Sequence, residues 1–346
     1  MITKSLAAVF GFALFCTCIL RASGQSQECF TYVSCGWSSF NSGCQPILPQ
    51  TAYDCQSPGG FEAVCKVKTN SCHPASECPS CNHAGHPVDL ASGDTDIAQT
   101  DVRVPGLGGG ISLVRTWNSI WPSIESANRQ GLFGPNWRST YEERIFTGSD
   151  GYMKYSRGDG SFWSFGFTGS GNNSNSFAVA SPANQTATLV GSTTGWTLTF
   201  QNGEQRVFDI TSGYLLSITD RNGNITQLSY DSASRLISVT DAASRHLYFA
   251  YASPSSYVVS AITSDIGLSL AYAYDNQGRL VQVTKPDSTT VSFQYDSNSF
   301  ISVVLDSNGK VLESHTYDNQ GRGLTSSRAG GVEAVTISYP QPPPPI

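Results

Sequence analysis

GRLVQVTKPDSTTVSFQYD, Gly278 to Asp296, reads as two short strands and the turn between them. Leu280, Val281 and Val283 lead into a turn at Lys285 to Ser288, and Val291, Phe293 and Tyr295 return with an apolar residue at every second position. That is the period of a strand with one buried face. Related copies are GYLLSITDRNGNITQLSYD (Gly213 to Asp231), SRLISVTDAASRHLYFAY (Ser234 to Tyr251) and SFISVVLDSNGKVLESHTYD (Ser299 to Asp318). The pair Tyr-Asp closes most of them, at Tyr230 and Asp231, Tyr274 and Asp275, Tyr295 and Asp296, and Tyr317 and Asp318, while Tyr251 and Tyr339 keep the beat without the Asp. The steps from each of these Tyr to the next are nearly equal. A fixed period of roughly 20 residues predicts a repeat architecture, in which one hairpin buries its apolar face only against its neighbours. Asn222-Gly223 and Asn308-Gly309 are expected to form two-residue hairpin turns.

Upstream, from Gly85, the chain is rich in β-branched residues and turn formers, which predicts further short strands. Gly106, Gly108, Gly109 and Gly110 follow Pro105 and precede a β-rich segment, so a tight turn accounts for them better than a nucleotide loop. Asp89, Asp94 and Asp96 match no calcium-loop spacing and read as solvated turn carboxylates. Trp121, Trp137 and Trp163, with Phe133, Phe162 and Phe165, are expected to pack between sheets. GYMKYSRGDGSFWSFGF, Gly151 to Phe167, reads as a hairpin with an Asp-Gly turn, and Thr168 to Ser176 as an exposed loop.

From Met1 to Gly24 the chain carries a single Lys, Lys4, an apolar run from Leu6 to Leu20, and small residues at Ala22 and Gly24, the pattern of a cleaved secretory signal. The run is short of the roughly 20 residues a membrane span needs. Behind it Cys29, Cys35, Cys44, Cys55, Cys65, Cys72, Cys78 and Cys81 cluster, and no Cys follows. In an exported chain this predicts a small module stapled by disulfides, whose pairing spacing alone does not give. The competing reading is zinc, through Cys72, His73, Cys78, Cys81, His83 and His86; an oxidising compartment favours the disulfides. Trp37, Phe40, Tyr53 and Phe61 could offer a sugar-binding face, but aromatics in so small a module more often form its core.

With 13% charged residues, a net charge of -6 and a pI near 5.3, the chain lacks the basic patch that nucleic-acid binding requires. The five His, at 73, 83, 86, 246 and 315, sit in no catalytic motif, and there is no G-x-S-x-G, H-E-x-x-H or Walker loop. His246 and His315 are expected to be exposed strand residues. Glu142 and Glu143, if on one strand, would point to opposite faces and could not share a scissile bond. No catalytic residue, cofactor or metal site is predicted.

The repeated Tyr-Asp pattern over about Gln201 to Tyr339 resembles the YD repeats of rearrangement-hotspot (Rhs) proteins, of the shell subunits of insecticidal toxin complexes and of teneurins. Gly85, Pro87, Val88, Asp89, Ala91, Ser92 and Gly93, the segment ISLVRTWNS (Ile111 to Ser119) and GLFGPNWRSTYE (Gly131 to Glu142) resemble the domain of unknown function that precedes such repeats, with Trp117 where a Tyr is usual. The resemblance implies a β-ribbon that spirals, in complete members, into a hollow shell around another polypeptide, with Tyr rings stacking from unit to unit and Asp and Gly setting the turns.

The expected fold is therefore all-β: an open, curved antiparallel hairpin-repeat sheet preceded by a disulfide-rich module. The expected segments are a signal peptide (1–24), the Cys-rich module (25–84), a β-rich N-terminal domain (85–200), the YD array (201–339) and a Pro-rich tail (340–346). The expected function is that of an exported, non-enzymatic scaffold acting in adhesion, surface interaction or partial encapsulation of a protein partner, with further repeats supplied by another chain. The alternative is a carbohydrate-binding surface protein using exposed aromatics. No membrane span is expected once the signal is removed.

Overall fold

The computed structural model describes residues 29–36, 53–56, 62–69, 83–84, 88–90, 92–121, 130–171 and 173–339. The signal peptide, the Pro-rich tail and the metal and disulfide chemistry of the Cys-rich segment lie outside them. The chain divides into two compact units, one of residues 1–70 with 342–346 and one of residues 71–341. In the first, Glu62–Thr69 is the central strand of an antiparallel sheet between Cys29–Gly36 and Tyr53–Gln56.

The second unit is built from two main sheets. An inner sheet of three strands runs in the order Trp137–Ser139, Ile111–Asn118, Asp96–Val104. Its hairpin is closed by the glycine-rich turn, where Gly108, Gly109 and Gly110 all adopt positive φ, so the tight-turn reading holds. The other is a 19-stranded antiparallel meander, from Arg144–Thr147 to Val332–Thr336, in which every strand pairs with its neighbours in sequence. The sheet thus begins well upstream of Gln201, where the repeat first becomes legible. It also curls: the first strand returns to the middle of the sheet, where Arg144 bridges Tyr214 and the Ile145 N–H donates to the Gly213 carbonyl at 2.9 Å. Thr168 to Ser176 is not simply a loop, since strands Phe162–Gly171 and Ser174–Ser181 extend the hairpin into it from both sides.

The turns share one geometry. At Asp275 the N–H donates to the Arg279 carbonyl (3.0 Å) and the Gly278 N–H donates back to the Asp275 carbonyl (2.9 Å), with Gly278 at φ 74°. The Asp275 carboxylate accepts the N–H groups of Gln277 and Arg279 at 2.9 and 3.0 Å, so a side chain satisfies donors the ladder cannot reach. Asp231, Asp296 and Asp318 do the same. The same backbone bonds recur at Asp220 and Asp306. Gly223 and Gly309 there are left-handed while Asn222 and Asn308 are not, so these are longer turns, closed by the Asp, and not the two-residue type that needs positive φ at both central positions.

A β-bulge accompanies each Tyr-Asp turn. Tyr274 pairs with Leu280 but Ala273 pairs with Gln282, leaving Val281 as the extra residue; Tyr230 with Leu236 and Tyr295 with Ile301 repeat the pattern. The inserted residue shifts the inward face along the strand, which is why Leu280 and Val283, Leu236 and Val239, and Ile301 and Val304 are all buried.

The tyrosines close the hairpins. Tyr295 Oη donates to the Leu280 carbonyl at 2.7 Å, and Tyr230, Tyr251, Tyr274, Tyr317 and Tyr339 donate equivalently to Leu215, Leu236, Val259, Ile301 and Gly323. Among the described residues, the ring stacking implied by the resemblance is found once between tyrosines, as Tyr214 on Tyr230. Elsewhere a guanidinium intervenes: Arg279 lies 4.6 Å from the ring centroid of Tyr295, Arg235 4.6 Å from Tyr251, and Arg322 4.2 Å from Tyr339. Each of these Arg is held by the Asp of its own turn, as Arg279 Nε is by Asp275 at 2.7 Å.

Two substitutions test this geometry. Tyr295→Phe, which deletes the hydroxyl and keeps the ring, should cost about 1 kcal/mol of stability, read from a denaturant titration. Ser244→Gly should raise stability by roughly 0.5–1 kcal/mol in the same titration, because Ser244 holds the left-handed turn position at φ 60°.

Candidate functional site

The ribbon and the upstream segment act together along the seam between the inner sheet and the ribbon's inward face. Both contribute to a single apolar core: Ile97, Ile111, Leu113 and Trp117 from one side, Leu236, Val259, Ile262, Leu280 and Ile301 from the other. Aromatic pairs cross it, with Phe133 4.9 Å from Tyr272, Trp137 5.2 Å from Phe293 and Trp117 6.2 Å from Tyr317 between centroids. The expectation that the tryptophans pack between sheets holds for Trp137 and Trp163, which are buried; Trp121 is half-buried against Arg138.

At the centre lies Arg115, fully buried. A bulge between Thr100 and Val102 takes Asp101 out of the ladder, and its carboxylate receives Arg115 Nε and Nη2, the latter at 2.8 Å, together with Tyr272 Oη at 2.8 Å from the ribbon. Burial alone would lower the Arg115 pKa, but the charge and hydrogen bonds of Asp101 outweigh it and raise the value. The guanidinium also faces the rings of Trp137 at 4.7 Å and Phe133 at 5.4 Å. Tyr272 and Phe293 were legible only as alternating strand residues, and nothing in their spacing marked them as neighbours of an ion pair far upstream in the chain.

Three acids pin the upstream segment in place. Asp94 accepts Ser119 Oγ at 3.1 Å and the Ile120 N–H, beside Gly93, whose carbonyl receives the Gly323 N–H of the ribbon at 2.8 Å. Glu142 accepts the Leu132 N–H at 2.7 Å, and the Leu132 carbonyl accepts the Val259 N–H at 2.8 Å. Glu143 accepts Tyr155 Oη at 2.7 Å and Arg206 Nε at 3.0 Å. The solvated-turn reading of the acids is corrected for Asp89 and Asp94, which are 3% and 0% exposed. Glu142 and Glu143 do part to different partners, but from the connection before Arg144–Thr147 and not from a strand. Burial raises the pKa of Asp94, Glu142 and Glu143, despite the neighbouring Arg138 and Arg206 for the two Glu.

His246, half-exposed, pairs through Nδ1 with Asp265 at 2.7 Å and stacks on Tyr248. His315 is buried, contrary to expectation, because the strand Val311–Tyr317 turns it inward with Glu313. His73, His83 and His86 lie outside the described side chains. Among the described residues no group of three or more His, Cys, Asp or Glu is placed to hold a metal ion.

Breaking the central ion pair should be costly. Asp101→Asn leaves Arg115 buried without a counter-charge and should lose about 3–5 kcal/mol in a denaturant titration, whereas replacing both residues by apolar ones of similar volume should lose far less. The pH dependence has a definite sign. The raised pKa values of Asp94, Glu142 and Glu143 mean that the folded chain holds protons that the unfolded chain, at its ordinary 3.8 and 4.5, has released, so their cost to stability is relieved on acidification. Asp209 and Asp231 run the other way: backbone N–H groups, then the side chains of Ser212 and Arg235, lower them, and their contribution is lost as the pH falls from the ordinary 3.8 through their lowered values. The thermal midpoint should therefore rise as the pH is lowered from neutrality toward 4.5 and fall once the pH passes below 3.8.

Two families match the chain: DUF6531, described as a domain of unknown function, over residues 85–165, and the teneurin YD-shell over residues 216–341. No curated protein matches. Among solved structures, a TcdB2-TccC3-TEV crystal structure aligns at TM-score 0.28 and 14% identity over 70% of this chain and 14% of that one. A Tc holotoxin pore from Photorhabdus luminescens aligns at TM-score 0.25 and 12% identity over 68% of this chain and 17% of that one. The chain thus spans less than a fifth of the length of these structures. With the YD-shell match lying on the hairpins whose turns, bulges and tyrosine ties have just been described, and DUF6531 on the sheet that fills them, this chain is an Rhs-type YD-repeat protein.

Proposed function

We propose that the protein is an exported, non-enzymatic scaffold that forms one filled portion of a β-repeat shell and works by engaging a protein partner along its sheet. The observation that carries this is the occupied concave face: the inner sheet already covers the ribbon's apolar side, so the surfaces left for a partner are the outer face and the sheet edge. The last strand of the sheet, Val332–Thr336, pairs with Gly323–Arg328 alone among the described strands and leaves Val332 exposed. An edge strand of this kind is a template for another strand, and further YD repeats from a second chain are its natural complement. Export rests on the signal pattern; among the described residues no helix is long and apolar enough to cross a membrane, which says nothing of β-barrels.

A glycan-binding surface built from the repeat tyrosines is the weaker reading. All six are turned into the ribbon with their hydroxyls committed to backbone carbonyls, and among the described residues Tyr248 and Tyr257 are the exposed tyrosines of the array.

Light scattering of the mature chain, mixed with a tandem of its own compact unit, residues 71–341, as probe, should detect a complex. The complex should disappear in the double variant Val332→Lys and Val335→Lys with circular dichroism unchanged. A chain that ignores the probe loses the edge-docking reading. Turnover of polysaccharide or peptide libraries that vanishes in Glu143→Gln would overturn the non-enzymatic one.

A further inference from the structure

A cleft of about 780 Å³ opens between the inner sheet and the first coil of the ribbon. Its size falls in the roughly 300–1,000 Å³ range of small-molecule sites. Val114, Thr116 and Thr140 of the upstream segment form one wall, so the cleft exists only when the two sheets are joined. The opposite wall comes from the hairpins that precede the recognisable repeats.

The charges in the cleft exclude most ligand classes. Arg206 spends its Nε on Glu143 at 3.0 Å and its Nη1 on Glu204, and Arg157 is engaged by Asp159 at 3.3 Å and Ser161 Oγ at 3.1 Å. Both guanidiniums also rest on rings, Arg206 on Phe200 at 5.5 Å and Arg157 on Trp163 at 5.6 Å. A phosphate or carboxylate ligand would find each guanidinium already paired with a carboxylate, and three carboxylates, Glu143, Asp159 and Glu204, against two cations in the lining. A cationic ligand would find those carboxylates already paired. What remains is neutral hydrogen-bonding capacity. The side-chain amides of Asn184, Gln185 and Gln201, in two of the turns, have no partner among the described residues; Thr116 and Thr140 line the wall, the Thr140 hydroxyl already accepting the Val114 N–H at 3.0 Å. Trp163 and Phe200, edge to face at 5.7 Å, add an apolar floor.

We infer that this cleft is a binding site for a neutral saccharide, whose hydroxyls the amides meet and whose C–H face the aromatic floor receives. The site deepens the glycan reading above but relocates it from the ribbon tyrosines to the cleft, and it stands or falls independently of edge docking.

Saturation-transfer NMR on the mature chain with cellobiose, maltose and chitobiose as probes should show transfer to at least one of them. The double variant Gln185→Ala and Gln201→Ala, both in turns where folding is little affected, should bind that probe at least tenfold more weakly. Tyr248→Ala on the outer face should bind it unchanged. Absence of transfer to all three sugars, transfer retained in the double variant, or a sulfated heparin disaccharide displacing the neutral sugar at lower concentration would each overturn the assignment. The light-scattering complex formed with the tandem probe should survive in the double variant, so that loss of sugar binding and loss of assembly are read separately.

Discussion

Arg279 lies across the ring of Tyr295 while Asp275, four residues before it, holds its Nε, and Tyr295 in turn donates its hydroxyl across its own hairpin to Leu280. This chain of contacts links a turn to the following hairpin, and it recurs through Asp231, Arg235 and Tyr251 and through Asp318, Arg322 and Tyr339. An isolated hairpin is marginal in water, and the contact gives each one a fixed relation to the next beyond the ladder bonds. It has the character of a cation–π pair worth about 0.5–1 kcal/mol at a partly exposed site. Repeated along the array, it constrains the ribbon's pitch as well as adding stability. Where the Arg is missing, after Asp296, Phe300 substitutes by packing its ring on Tyr317 at 5.0 Å.

The pitch matters because a sheet of this length has two faces and only one can be left to water. The inner sheet solves that problem from within the same chain. Its apolar residues interleave with the buried positions of the ribbon, and Arg115 with Asp101 places a charged pair in the seam. A buried pair of this kind contributes little to net stability compared with an apolar equivalent. Its effect here is on register: Asp101 can receive Tyr272 Oη only when the two sheets are seated in one alignment. The pins at Asp94, Glu142 and Glu143 fix further contact points, so the upstream segment behaves as the ribbon's core and not as a neighbouring domain.

The same arrangement separates the surfaces by role. The tyrosines that mark the repeat are internal fittings, and the exposed chemistry gathers elsewhere, at the last strand and in the cleft beside the first coil. That cleft lies outside the recognisable repeats, among hairpins that share the ribbon's hydrogen bonding but not its Tyr-Asp signature.

Much of the array was readable from the chain alone because its signals are local. The even spacing of the tyrosines, the alternation through Val291, Phe293 and Tyr295, and the turn at Lys285 to Ser288 all follow from interactions within one hairpin, and they point to an open all-β ribbon. Other features were written in the sequence but needed the fold to be understood. The spacing Leu280 to Val283 is odd for a strand until the bulge at Val281 is seen, and Asn222 followed by Gly223 suggests a two-residue turn until Asp220 is seen to draw the loop out to Asn224. What tertiary structure alone decided are contacts between residues far apart in sequence. Burial of Asp94 and His315, the meeting of Asp101 with Tyr272, and the start of the sheet at Arg144 depend on how the ribbon wraps its core, and no local spacing encodes which distant carbonyl, ring or carboxylate will be brought opposite.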